Sequence, residues 1–112
     1  MTETRLFLLQ RISALVLAPM VILHLVVILY ATRAGLSAEA ILARTGSTPL
    51  WPVFYALFVV AAAVHAPIGL RNILREWTPL SRGATDWLSL GFGVVLLVLG
   101  LRAVWAVSGW AA

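Results

Sequence analysis

The chain has 112 residues, 62% of them hydrophobic, and a mean hydropathy of +1.03. That lies far above the soluble range, so the apolar surface has to face lipid. The net charge of +4, from eight arginines against four acids with no lysine, is too small and dispersed for a nucleic-acid patch, and the lack of cysteine excludes disulfides, cysteine-ligated iron–sulfur clusters, covalent c-type haem attachment and thiol catalysis within this chain.

The opening MTETRLFLLQR carries an early acid and no small-residue cleavage site, so the first apolar run reads as a retained span rather than a signal peptide. That run, Ile12–Thr32, is charge-free and about one hydrocarbon thickness long as a helix. Its entry, LLQRISALVL, holds Gln10, Arg11 and Ser13. An arginine and a hydroxyl facing a bundle here can hold the polar head of a quinone while apolar walls hold its ring. The competing reading is a topology-setting arginine and a serine bonded back to its own helix. Further along, Pro19 is expected to kink the helix, and His24 lies on nearly the same face as Ser13, offset by about 20°.

The linker RAGLSAEAILARTGSTP (Arg33–Pro49) predicts a short amphipathic helix capped by Ser37, with Leu36, Ile41 and Leu42 at the membrane interface. A second span follows, Leu50–Ile73, without charge until Arg71. At 100° per residue, its His65, Gly69, Asn72 and Glu76 fall within about 40° of one line, and such a polar line turns inward. Gly69, one turn from His65, leaves the room that a flat macrocycle needs. Pro67 frees the carbonyl of Ala63, which becomes the expected acceptor for one nitrogen of the His65 ring. The uses open to a neutral imidazole at this depth are axial ligation of haem iron, an interhelical hydrogen bond or a proton relay; the glycine gap and the nearby arginines favour haem. Arg71 and Arg75 are then candidates for the haem propionates, or simply mark the inner end of a span.

REWTPLSRGATD (Arg75–Asp86) reads as a polar turn. The third span, Trp87–Val107, is interrupted only by Arg102 and carries a smooth stripe of Ser89, Gly93 and Gly100. A small chain with such a stripe and no soluble domain reads as one subunit of a larger membrane complex; the alternative is a free-standing three-helix protein. The expected architecture is an all-α membrane protein. It is a single anchor domain over residues 1–112, with helices at roughly 11–32, 50–76 and 86–109, forming half of a helical bundle that a partner completes. Arg5, Arg11, Arg71, Arg75 and Arg82 fall on the N-terminal side, against Arg33, Arg44 and Arg102 on the other, which places the N-terminus inside. Trp51, Trp77, Trp87, Trp105 and Trp110 sit near span ends, as interfacial tryptophans do.

By helix rise, His24 is about 20 Å from Arg11 and His65 about 9 Å from Arg71. If the two arginines share a depth, the histidines lie about 10 Å apart in depth, too far to clamp one iron together. His24 either ligates a second, outer haem whose opposing ligand comes from a partner chain, or makes an interhelical hydrogen bond.

The segment His65-Ala66-Pro67-Ile68-Gly69-Leu70-Arg71-Asn72-Ile73-Leu74-Arg75-Glu76 resembles the histidine–three residues–glycine–aliphatic–arginine–histidine–…–aspartate signature of the cytochrome b subunit of succinate dehydrogenase. Gln10-Arg11-Ile12-Ser13-Ala14 is similar to that family's histidine–arginine–any–serine/threonine–glycine signature at the start of its first span. Both occur in the family's order, and the resemblance covers nearly the whole chain. Gln10, Ala14, Asn72 and Glu76 depart from the signatures, and Phe7 stands where a serine of the quinone site is common.

The resemblance implies a membrane-anchor subunit of a succinate:quinone or quinol:fumarate oxidoreductase; the bacterial inner membrane is the location expected for so short a chain without a transit segment. The resemblance also implies b haem, one or two, shared with a second anchor subunit, with His65 as axial ligand. A flavoprotein and an iron–sulfur subunit would perform the dicarboxylate chemistry and carry electrons to the membrane, where ubiquinone or menaquinone accepts them. A haem-free structural anchor whose histidines only join helices is the competing class. A small transporter subunit ranks last, for want of an inverted repeat or a mid-membrane acid.

Overall fold

The computed structural model describes residues 2–110, in four helices: α1 (Glu3–Ala34), α2 (Ala38–Thr45), α3 (Leu50–Trp77) and α4 (Arg82–Val107). Three of them, α1, α3 and α4, are long and apolar enough to cross a membrane. Each helix start that the sequence caps is capped in the structure. The Thr2 hydroxyl accepts from Arg5 N, that of Ser37 from Ala40 N and that of Ser81 from Ala84 N, satisfying amides that have no partner within the helix.

The chain is all-α with three spans, as expected, but the helix bounds differ. α1 begins eight residues before the expected 11, because the cap at Thr2 and the acid Glu3 at the positive helix end let it continue past the hydrocarbon. At 32 residues it is about 48 Å long, so its first turns project beyond a core of about 30 Å. The expected turn at Arg75–Asp86 shrinks to Thr78–Ser81, because α3 runs on to Trp77 and the Ser81 cap starts α4 at Arg82 rather than 86; α4 ends at Val107 rather than 109. Helix α1 runs through Pro19, and α3 through Pro67, as continuous helices.

Helix α3 is central and packs on both α1 and α4. Pairs along α1 and α3 fix an antiparallel register, with Glu3 beside Arg71 and Arg75, Ser13 beside His65, and His24 beside Tyr55 and Phe58. At the far end, the Thr45 hydroxyl lies 2.6 Å from the Val107 carbonyl, so α2 closes over the end of α4. The buried apolar core among the described residues is small: Met20, Ala61, Ile68 and Val104. Large aliphatic side chains such as Leu15, Ile22 and Leu29 point outward, as they must in lipid.

The small-residue stripe of α4 is used inside the chain. A Cβ on Gly93 would sit 2.8 Å from Pro67 Cγ, and one on Gly100 would sit 2.5 Å from Val59 Cγ1. The stripe therefore seats α4 on α3 and carries no argument for a partner. Both neighbours are stiff, a proline ring and a β-branched side chain, so neither gives way cheaply. Gly93→Ala and Gly100→Ala should each cost about 1–3 kcal/mol by overpacking. Gly91→Ala meets nothing within 4 Å and should be neutral, or stabilise by up to about 1 kcal/mol. Thermal unfolding of the three variants in detergent checks this ranking, and equal behaviour of Gly91 and Gly93 variants would contradict the packing.

Candidate functional site

His65 is half-buried on the face of α3 that meets α1. Its Nδ1 lies 3.2 Å from Ser13 Oγ and 3.4 Å from the carbonyl of Gln10. Ser13 is 5% exposed, and its hydroxyl donates to the same Gln10 carbonyl at 3.0 Å. One proton placement makes hydrogen bonds of all three contacts at once. The Gln10 carbonyl can only accept, and with the Ser13 proton on that carbonyl both neighbours of Nδ1 are acceptors. In that placement Nδ1 donates and Nε2 keeps the lone pair.

The acceptor for the ring is therefore not the carbonyl freed by Pro67. That carbonyl, of Ala63, faces α4, where it would lie 3.3 Å from a Cβ on Gly93. The two α1 groups take its place because α1, not α4, packs on the His65 face of α3.

Gly69 leaves the expected gap; among the described residues a Cβ there would meet Gln10 Nε2, at 3.4 Å. The Gln10 side chain reaches that space with Nε2, and its Oε1 is buried without a partner. The polar line of α3 divides by depth: His65 and Gly69 are half-buried in the bundle, while Asn72 and Glu76 are exposed.

Arg71 and Arg75 are both engaged by acids of this chain. Arg71, 7% exposed, pairs with Glu3, with Asp86 at 3.1 Å and with the Asn72 side-chain oxygen at 3.1 Å. Arg75 reaches Glu3 at 3.2 Å, Asp86 at 2.7 Å and Thr85 Oγ1 at 3.1 Å. Two guanidinia and two carboxylates thus bind α1, α3 and α4 together at the N-terminal side. The sequence reading missed Glu3 and Asp86 as partners. The available signal was an acid in the first turn of α1 and another in the first turns of α4, at the end of the bundle where the arginines gather.

Arg11 and Ser13 are not brought together. Two positions apart on a helix they diverge by about 200°. Arg11 is exposed, with its guanidinium over the Phe7 ring at 5.4 Å, whereas Ser13 is turned into the bundle.

His24 lies edge-on to Tyr55 and Phe58, with ring centroids 5.7 and 5.3 Å away. Its Nδ1 is enclosed and has no hydrogen-bond partner. It borders a cavity of about 820 Å³ between α1, α2 and the start of α3, walled by Tyr30, Trp51 and Tyr55 with Arg44 at the edge. Its neighbours Tyr55 and Phe58 precede His65 by ten and seven residues, about 15 and 10 Å along α3, so the two histidines occupy separate depths. Among the described residues no group of three histidine, aspartate or glutamate side chains gathers to hold a bare metal ion.

Three helices long and apolar enough to cross a membrane, with a histidine held between two of them, define a multi-pass membrane protein. The family model described as succinate dehydrogenase/fumarate reductase transmembrane subunit matches residues 2–101, and the chain belongs to that family. No curated protein and no solved structure showed significant similarity.

The charge cluster generates a test. Asp86→Asn or Glu3→Gln alone leaves both arginines one acid. The double variant leaves the buried Arg71 without a counter-ion, the costly case. Thermal unfolding of the assembled complex should show the double variant losing clearly more than the sum of the two singles; simple additivity would mean that the acids act independently.

Proposed function

We propose that this chain is the cytochrome b membrane anchor of a succinate:quinone oxidoreductase and that His65 is the axial ligand of a b haem, through Nε2. The observation that carries this reading is the pair of oxygen acceptors beside His65 Nδ1, Ser13 Oγ at 3.2 Å and the Gln10 carbonyl at 3.4 Å. A ligating histidine donates its second ring N–H to a fixed acceptor, and here Nδ1–H has two while Nε2 keeps its lone pair. Gly69 adds a side without a Cβ, where the Gln10 side chain, its Oε1 buried and partnerless, lies across it. A second ligand would have to come from a second anchor subunit, since His24 is at another depth. When bound, the haem supplies a one-electron relay within the membrane.

The remaining residues have defined parts in this reading. Arg71 and Arg75 stand at the C-terminal end of the helix that holds His65, and propionates would compete there with Glu3 and Asp86 for the same guanidinium donors. Arg11, exposed at the same end, is the group of the Arg11 and Ser13 pair that is free to meet a quinone head. The N-terminal side faces the cytoplasm of a bacterium, following the five arginines there, and docks the iron–sulfur and flavoprotein subunits that supply electrons from succinate.

A second haem at His24 has weaker support. Its enclosed Nδ1 lacks the acceptor that His65 has, so nothing fixes its tautomer or orients its ring. The one-haem version therefore stands ahead. A haem-free anchor would use the Ser13–His65 contact only as a tie between helices.

A reduced-minus-oxidised visible spectrum of the purified complex separates these readings. His65→Ala should remove the b-type absorbance while succinate oxidation by an artificial acceptor continues. His24→Ala should keep the full haem content. Unchanged haem in the His65 variant would exclude the ligand assignment, and loss of half the haem in the His24 variant would establish the two-haem version. Arg11→Leu should raise the apparent KM for quinone with artificial-acceptor activity retained; equal loss of both activities would assign Arg11 to assembly.

A further inference from the structure

We infer that Ser13 is a positioning residue for His65: its hydroxyl, fixed by the Gln10 carbonyl, holds the imidazole in the Nδ1–H tautomer and sets how strongly Nε2 donates to the iron. This rests on the haem reading above and assigns to Ser13 a task other than contact with quinone.

Ser13 is 5% exposed, so water does not compete for its hydroxyl. A serine within a helix commonly bonds back to a carbonyl of the preceding turn, and here it does so at 3.0 Å to Gln10. That bond uses its only proton and leaves its lone pairs on the α3 side, where Nδ1 lies at 3.2 Å. The back-bond thus turns the hydroxyl into an acceptor of fixed direction. The Gln10 carbonyl at 3.4 Å is a second, longer acceptor for the same N–H. In apolar surroundings such a bond is stronger than in water, and a chain of two bonds in series polarises each member.

The consequence for the ligand is electronic as well as geometric. An acceptor on Nδ1–H draws the proton away from the ring and makes Nε2 more basic, and outer hydrogen bonding of this kind is one of the levers by which a protein sets a haem potential. A more basic axial nitrogen favours the oxidised iron. Ser13 should therefore hold the haem potential lower than the same site would have without it. Arg11, two positions before Ser13, faces away, so a single turn of α1 serves both the imidazole on its inner face and the headgroup side on its outer face.

The test uses the assembled complex with Ser13→Ala, Ser13→Cys and Ser13→Thr. Alanine removes the acceptor, cysteine keeps the volume with a much weaker one, and threonine keeps the hydroxyl. The expected result is haem retained in all three, with the midpoint potential raised and the low-spin ferric electron paramagnetic resonance signal shifted in the alanine and cysteine variants. Threonine should restore both towards wild type, and the apparent KM for quinone should stay unchanged throughout. If the alanine variant does not assemble, the cysteine variant carries the same expectation. Potentials and spectra identical to wild type in the alanine or cysteine variant overturn the inference. So does a raised quinone KM with an unchanged haem signature, which would return Ser13 to the quinone. A wild-type complex without b-type absorbance would instead remove the haem reading itself, and this inference with it.

Discussion

A buried arginine at the edge of the hydrocarbon has to be paired, and this requirement sets the register of the whole bundle. Arg71 is 7% exposed, and its charge is tolerable there only because acids from two other helices reach it. Glu3 lies 68 residues away in sequence and Asp86 15 residues away. Once those contacts exist, α1 and α4 are both fixed in depth against α3. The remaining cross-helix contacts are then consequences of geometry. Counting along α1 from Glu3 brings Ser13 to the level of His65, and further counting brings His24 to Tyr55 and Phe58.

Two kinds of force act on the two faces of α3. Against α4 the contact is close packing, with Gly93 on Pro67 and Gly100 on Val59, and it needs no polar group in mid-membrane. Against α1 the contact is polar at two depths, the ion pairs at the N-terminal end and the Ser13–His65 bond above them. In lipid, helices gain no hydrophobic energy by meeting, so shape and hydrogen bonds decide the arrangement. The ion pairs at the N-terminal side are shared by all three helices; beyond them the polar contact of α3 is with α1, at Ser13 and His65, while Gly93 and Gly100 seat α4 by close packing.

What the sequence made legible follows the same division. Three spans, the Ser37-capped short helix and the inward turn of His65 could all be read, because each depends on local hydropathy, caps or helical phase. The first turns of α1 could not, since a hydropathy scan stops at Arg11 while the helix obeys its cap at Thr2. The acceptor for His65 was sought on its own helix, at the carbonyl freed by Pro67. Phase on one helix cannot say which neighbour lies across which face, and that choice put Ser13 and Gln10 beside the ring. The Arg11 and Ser13 pair was separated for a simpler reason, that positions two apart on a helix point to opposite sides. The α4 stripe is legible as a packing surface, but small residues announce close approach without naming the helix that approaches, and here Gly93 and Gly100 meet α3.

Gln10 shows how the site can be both ordered and open. Its backbone carbonyl is the anchor of the polar chain, accepting from Ser13 and lying within reach of His65 Nδ1. Its side chain, in contrast, sets Nε2 beside Gly69 and leaves a buried Oε1 with no partner. An unpaired buried acceptor costs about 1–3 kcal/mol, so this amide is weakly held where it lies. It also has three rotatable bonds by which to leave, whereas the hydroxyl and the imidazole are tied at short range. The site is therefore rigid at the atoms that orient His65 and yielding at the atoms that occupy space. A flat group entering beside Gly69 would displace the one poorly satisfied side chain and leave the hydrogen bonds that direct Nε2 in place.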